Sequence, residues 1–265
     1  MDDLDRQRVI PGMADDILRT LETLGFEWDG APVWQSRRNS SYHEALAQLQ
    51  TMGRIYPCGC SRGEIARIAT APHGKGEEIA YPGTCRSGIS AGKEPRALRV
   101  RVTEQPVCFP DGISGEYCQN LTEICGDFIV RRADGLFAYH LATVVDDASA
   151  GVNQVVRGAD LLFSTPRQIY LQQLLGLQQP DYFHLPLVTA SGGAKLSKRD
   201  NAVSLAANRN LNTEGWAVLL AALGFLGQPL PDIPAGTAPA EILRHAASTF
   251  EPALVPTAGG PFPEH

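Results

Sequence analysis

Apolar residues recur every three or four positions early in the chain, and then the pattern breaks. Ile17, Leu21 and Leu24 predict an inward face on a helix over residues 11–25, with Pro11 in its first turn and Gly25 as its stop. Ala45, Leu46, Leu49 and Met52 predict a second helix over 41–52 with those four side chains turned inward. From 56 to 95 the periodicity fails, interrupted by glycines and prolines from Pro57 and Gly59 to Gly88 and Gly92. Such a stretch cannot build a core from side chains alone and needs a staple. Leu98, Val100 and Val102 alternate with Arg99 and Arg101, the mark of a half-buried strand. Short apolar runs follow from Asp127: Phe128–Val130, Leu136–Leu141, Val144-Val145 and Val155-Val156 predict strands or strand ends. Thr165-Pro166 opens a helix with a cap and an early proline. Further helices are predicted over 213–226 and near 240–248, and the last dozen residues are expected to be disordered. The mixed order predicts an α/β sheet domain.

Composition narrows the chemistry. The chain has 265 residues, 43% hydrophobic and 20% charged, enough for one large domain or two small ones. No apolar run reaches eighteen residues, so no membrane span is expected. The acidic start, Met1-Asp2-Asp3-Leu4-Asp5, lacks the apolar core of a secretory signal, and a cytoplasmic location is expected. Net charge is −6, so no overall basic field advertises nucleic acid. Any RNA would have to be gripped by local patches in the middle of the chain, where residues 54–140 hold 11 basic and 10 acidic groups.

All six cysteines lie between 58 and 125. A cytosolic chain has little use for disulfides, so the clustering points to metal or buried thiols. Cys58-Gly59-Cys60 puts two thiolates on one tight turn, and Cys85 offers a third soft ligand, a set that suits one zinc ion. The fourth ligand is open among Tyr81, His73, Cys108 and Cys118. A second cluster is the segment Gly193-Ala194-Lys195-Leu196-Ser197-Lys198-Arg199. Two lysines and an arginine around one serine can grip a triphosphate and neutralise charge that builds up during attack on it.

These pieces, in their order, resemble the glutamate-specific class I aminoacyl-tRNA synthetases, and within them the short glutamyl-Q tRNA(Asp) synthetase family. The segments that carry the resemblance are Asp2–Asp5, Trp28-Asp29-Gly30, Trp34-Gln35-Ser36, Tyr56–Cys60, Tyr81–Cys85, Asp127–Val130, Gly135–Tyr139, Val144–Asp147, Val156–Asp160, His184–Leu187 and Lys195–Lys198. The resemblance implies a class I synthetase Rossmann-like domain, N-terminally truncated, with a zinc-binding insert and a short helical C-terminal remnant. It divides the chain into a first catalytic part (1–55), a zinc-binding acceptor-type insert (56–125), a second catalytic part with the lysine loop (126–205) and a helical C-terminal region (206–265).

The activity implied is ATP-dependent activation of L-glutamate, with Mg²⁺ beside the ATP, and transfer to queuosine at the wobble position of tRNA(Asp). The enzyme is expected to be a monomer. Asp2 would hold the amino group of glutamate, and Tyr139 and Arg157 the rest of it, the guanidinium clasping the carboxylate bidentately. Plainer roles for the same groups are a salt bridge from Arg157 to Asp160 or Asp147, and a half-buried strand position for Tyr139. Lys198, with Lys195, would serve the ATP phosphates. Zinc would lie on Cys58, Cys60, Tyr81 and Cys85. The family places a strand and a glycine-rich, histidine-containing loop ahead of the acidic segment where this chain starts. The 265 residues alone are therefore expected to form little adenylate. Two rival readings are a fragment of a glutamyl-tRNA synthetase and a catalytically inactive zinc- and RNA-binding paralogue.

Overall fold

The computed structural model describes residues 1–5, 7, 9–61, 63–65, 79–189 and 209–261. The lysine loop 193–199, His73, Arg62, Arg67 and Lys75 lie outside the described residues.

Two sheets organise the chain. The first has three strands in the order β1 (Ile55–Cys58), β2 (Ala97–Val100), β5 (Ile129–Arg131), all antiparallel. The second has the order β4 (Gly115–Gln119), β3 (Val107–Asp111), β7 (Asp181–Leu185), β6 (Gln154–Gly158). There β3 and β4 form a hairpin, while β3, β7 and β6 run parallel. The hairpin from the middle of the chain is thus hydrogen-bonded into the same sheet as the strands after residue 154.

Helices cover these sheets. α1 (Met13–Thr23) and α2 (Asn39–Thr51) fall close to their predicted spans. In α2, Tyr42, Ala45, Leu46 and Leu49 are buried, but Met52 is exposed rather than inward, because the helix ends one residue before it. Ile17 is likewise exposed. After the short turn α3 (Leu121–Ile124), α4 spans Tyr139–Ser149. Tyr139–Leu141 and Val144-Val145 are therefore helical, while Phe137 keeps an isolated antiparallel bridge to Arg131. Leu141, Ala142 and Val144 form the buried side of α4, and a short apolar run reads alike in a strand and a buried helix. α5 (Thr165–Leu175) is buried along most of its length.

The main core joins Tyr42, Leu49, Val100, Phe109, Val130, Leu141, Ile169 and Tyr182. A smaller core holds Leu24 against α6 (Leu211–Phe225) and α7 (Pro239–Thr249) through Leu211, Val218, Leu219 and Ile242. Residues 254–261 are placed, against the expectation of disorder there, and 262–265 lie outside the described residues. Val255 is buried, and Gly260 bridges the chain beyond β7, accepting from Thr189 N–H at 2.8 Å and donating to Leu187 O at 3.2 Å. No helix among the described residues is long and apolar enough to cross a membrane.

Candidate functional site

Three places carry chemistry: a sulfur cluster on the first sheet, a polar network at the C-terminal ends of β6 and β7, and a cavity beside the start of α4.

The sulfur cluster forms where β1 ends. Cys58, Cys60 and Cys85 bring their Sγ atoms within 4.8 Å of one another, with Cys60 and Cys85 at 3.5 Å. Tyr81 Oη lies 3.4 Å from Cys58 Sγ and 3.8 Å from Cys60 Sγ. A tetrahedron with zinc–sulfur bonds of about 2.3 Å has sulfur–sulfur edges of about 3.8 Å, so this donor set fits one ion. Cys85 N–H donates to Tyr81 Oη at 2.8 Å, which favours an oxygen that accepts rather than donates. Arg99 supplies positive charge: its Nε donates to Cys58 Sγ at 3.3 Å and its guanidinium lies 3.8 Å from the Tyr81 ring centre. For the side chains alone, burial pushes Cys60 up to about 11 and raises Tyr81. Burial also works on Cys85, but hydrogen bonds from the Gly59 backbone and Tyr81 outweigh it and bring that thiol down.

Two supports hold the cluster. Asp127, buried, accepts from Tyr56 Oη at 2.5 Å and Val102 N–H at 2.8 Å and pairs with Arg86 at 3.0 Å. Gly126 lets the chain lie directly against Tyr81: its φ is +63°, and a Cβ there would sit 2.1 Å from Tyr81 O. Cys108 and Cys118 are not donors to this site. They face each other across the β3–β4 hairpin and are joined by a disulfide, against the expectation of no disulfide, because the hairpin register sets their Cα atoms 4.1 Å apart.

The polar network joins segments far apart in the chain. Asp111, at the end of β3, takes the Nδ1 proton of His184 at 2.5 Å, and both side chains are fully buried. His184 Nε2 then accepts from Arg157 Nε at 3.2 Å and lies 2.9 Å from Thr165 Oγ1. Arg157 Nη2 donates to Thr165 Oγ1 at 2.8 Å and Gln168 Oε1 at 2.7 Å. A second proton on His184 would face the Arg157 N–H, so the imidazole is neutral. Burial lowers its pKa and outweighs the pull of Asp111. The Asp111 carboxyl is brought down, since bonds from Ser114 N–H, His184 and Ile113 N–H outweigh its burial. Arg157 Nε and Nη2 are thus committed to protein groups. Among the described residues, no bond to Arg157 Nη1 appears.

The cavity, of about 340 Å³, is lined by Asp2, Asp5, Arg132, Phe137 and Tyr139 among others. Asp3 fixes the acidic segment by accepting from Ser36 N–H at 2.8 Å and Ser36 Oγ at 2.5 Å. Asp146 ties α4 to α2, accepting from Arg38 at 2.6 Å and from Tyr42 and Gln35 at 2.8 Å each. Tyr139 opens α4 and is exposed, so it is neither a strand residue nor half-buried. Burial raises Asp2. Burial, then the charges of Arg167 and Arg157, push His140 down to about 3, and its Nδ1 has no hydrogen-bond partner among the described residues. Asp111, Thr165, Gln168 and His140 had no sequence signal as site residues. Their only clue was polarity inside otherwise apolar elements.

Residues 1–232 match the family described as tRNA synthetases class I (E and Q), catalytic domain. The chain is 62% identical over 262 residues to a glutamyl-Q tRNA(Asp) synthetase of Geobacter sulfurreducens, covering 99% of this chain and 83% of that protein. It is 50% identical over 253 residues to one from Dechloromonas aromatica, covering 95% and 82%. Among solved structures, a glutamate tRNA ligase from Elizabethkingia meningosepticum, crystallised with its amino acid, matches with a TM-score of 0.75 at 23% identity. That match covers 99% of this chain and 59% of the ligase, and the likeness is one of fold.

Proposed function

The chain belongs to the class I tRNA synthetases of the E and Q type, and from that premise we propose that it activates L-glutamate with ATP and transfers it to queuosine in tRNA(Asp). The observation that carries this reading is the 62% identity across 99% of the chain to a protein of that name. The first step joins a glutamate carboxylate oxygen to the α-phosphorus of ATP and expels pyrophosphate. In the second, a hydroxyl of the queuosine cyclopentenediol attacks the acyl carbon and AMP leaves. We place the enzyme in the cytoplasm, acting as a monomer.

The residues have distinct tasks in this reading. Asp2, in the cavity at the start of α4, offers a carboxylate to the amino group, and Tyr139 borders the same cavity. Arg157 Nη1 meets the side-chain carboxylate, while His184, Thr165 and Gln168 stop the guanidinium from turning. Burial and the charges of Arg167 and Arg157 keep His140 neutral, so the imidazole adds no positive charge there. Lys195 and Lys198, outside the described residues, serve the ATP phosphates by their motif. Cys58, Cys60, Tyr81 and Cys85 hold one zinc ion, whose contribution is to lock the end of β1 against the 81–85 segment.

The test is transfer of labelled glutamate to tRNA(Asp) with and without queuosine. Label on the queuosine-bearing tRNA alone is expected. Label at the 3′ end of tRNA(Glu) would overturn the assignment in favour of an ordinary glutamyl-tRNA synthetase.

A further inference from the structure

Several arginines lie on or beside the first sheet, and most are held by carboxylates or backbone carbonyls; Arg131 Nε donates to Gly135 O at 3.3 Å. Arg99 holds Asp127 O and Cys58. Arg101 stacks on Tyr56 and donates to Arg86 O. Arg86 pairs with Asp127, and Arg132 with Asp5 and Asp134. Arg96 and Arg131 have no carboxylate partner among the described residues. Both line one cavity of about 270 Å³, between the ends of β2 and β5, together with Arg132.

No acidic residue lines that cavity. Asp5 and Asp134 neutralise Arg132, so the charge left facing the hollow is that of Arg96 and Arg131, still out of keeping with a chain of net charge −6. The hollow is framed by backbone pairing. Leu98 of β2 pairs with Arg131 of β5, and Arg96 N–H donates to Cys58 O at 3.0 Å, so the sulfur cluster braces one wall. Arg132 lines both this cavity and the one holding Asp2 and Tyr139. An anion seated here lies next door to the amino-acid site.

Resting on the tRNA reading above, we infer that this cavity receives the phosphodiester backbone of the RNA acceptor. Arg96 and Arg131 are its phosphate-binding groups, and Arg132 is the wall shared with the amino-acid cavity. Guanidinium groups suit phosphate oxygens through their fork of N–H donors, and each neutralised phosphate releases counterions.

The experiment is a salt titration of RNA binding by fluorescence anisotropy. The zinc-loaded 265-residue protein is titrated with a queuosine-containing anticodon stem-loop of tRNA(Asp), between about 50 and 200 mM salt. Losing two phosphate contacts in the Arg96→Gln/Arg131→Gln protein should lower the magnitude of the log K against log salt slope by roughly 1.4, and weaken binding about tenfold or more at low salt. Arg96→Gln alone, at an exposed position, should lower the slope by about half as much. It remains readable if the double variant fails to fold. Arg244→Gln, an exposed charge on α7 far along the chain, controls for net charge. An unchanged slope in the arginine variants, or an equal change from Arg244→Gln, overturns the inference and leaves the functional reading intact. No binding by the parent protein overturns the tRNA reading itself.

Discussion

The sulfur cluster and the Arg157 network are built on opposite plans. The cluster crowds four acceptor-type atoms from a span of 28 positions, Cys58 to Cys85, with Arg99 as the adjoining cation. Its members contact one another only through weak sulfur bonds, and on our reading an ion completes the arrangement. The network gathers Asp111, Arg157, Thr165, Gln168 and His184 from four elements, and nearly every donor meets an acceptor inside the protein. Among the described residues, no bond to Arg157 Nη1 appears and the buried Gln168 Nε2 has no partner. Crowded like groups call for a ligand that becomes part of the fold. A network that meets most of its own needs and leaves a few donors open suits a ligand that must come and go.

The most severe way to break this contrast is Cys58→Ser or Cys85→Ser. Either should take the zinc content from about one ion per chain to near none, measured by elemental analysis, and lower the melting temperature. Full metal retention in both would remove the ion from the account. Arg157→Ala should lower glutamate-dependent ATP–pyrophosphate exchange by about a hundredfold or more, while leaving the metal in place. Activation at the parent rate would make Arg157 structural.

A smaller effect is expected one step back. Asp111→Asn keeps the shape but removes the charge that holds the His184 proton on Nδ1. The KM for glutamate should rise by roughly tenfold, with less change in kcat, because the variant loosens Arg157 rather than removing it. Equal changes in both would point to general destabilisation instead. The least effect concerns acid. His140 is pushed down to about 3 in the folded protein, against about 6.5 when unfolded. The unfolded chain therefore binds an extra proton between those values, and the native state loses stability as pH falls through that window. His140→Gln should flatten the fall in melting temperature between pH 6.5 and pH 3 relative to the parent. Parallel melting curves would show that His140 takes its proton as readily folded as unfolded.

The two plans also explain what could be read in the sequence. Cys58, Cys60 and Cys85 were visible because sulfur ligands are rare and lie in a glycine-rich stretch with no other means of support. The fourth position stayed open on spacing alone, since Tyr81 as donor needs the N–H of Cys85 and the charge of Arg99, both matters of geometry. Arg157 was visible through resemblance, but its supporters were not. Asp111 sits in a hairpin that joins the far sheet by a single parallel pairing, a long-range contact with no local signature. α4 was misread as strands because Leu141, Ala142 and Val144 make a short apolar run with no period of its own. The disulfide was missed because cellular location argued against it while strand register, invisible in composition, brought Cys108 and Cys118 together. Residues 254–261 were misjudged for the same reason: the partner of Gly260, Leu187–Thr189, is some seventy positions away.

Gly126 gives the sulfur cluster a fifth member that donates nothing. Any side chain there would run into the backbone of Tyr81, so the oxygen corner depends on an atom that must be missing. Engineers who wish to transplant this donor set to another scaffold would fail by copying its three thiols and one phenol alone. The portable unit must include the bare backbone behind Tyr81. In a saturation library position 126 would score as intolerant as the donors, while looking, on chemical grounds, like a bystander.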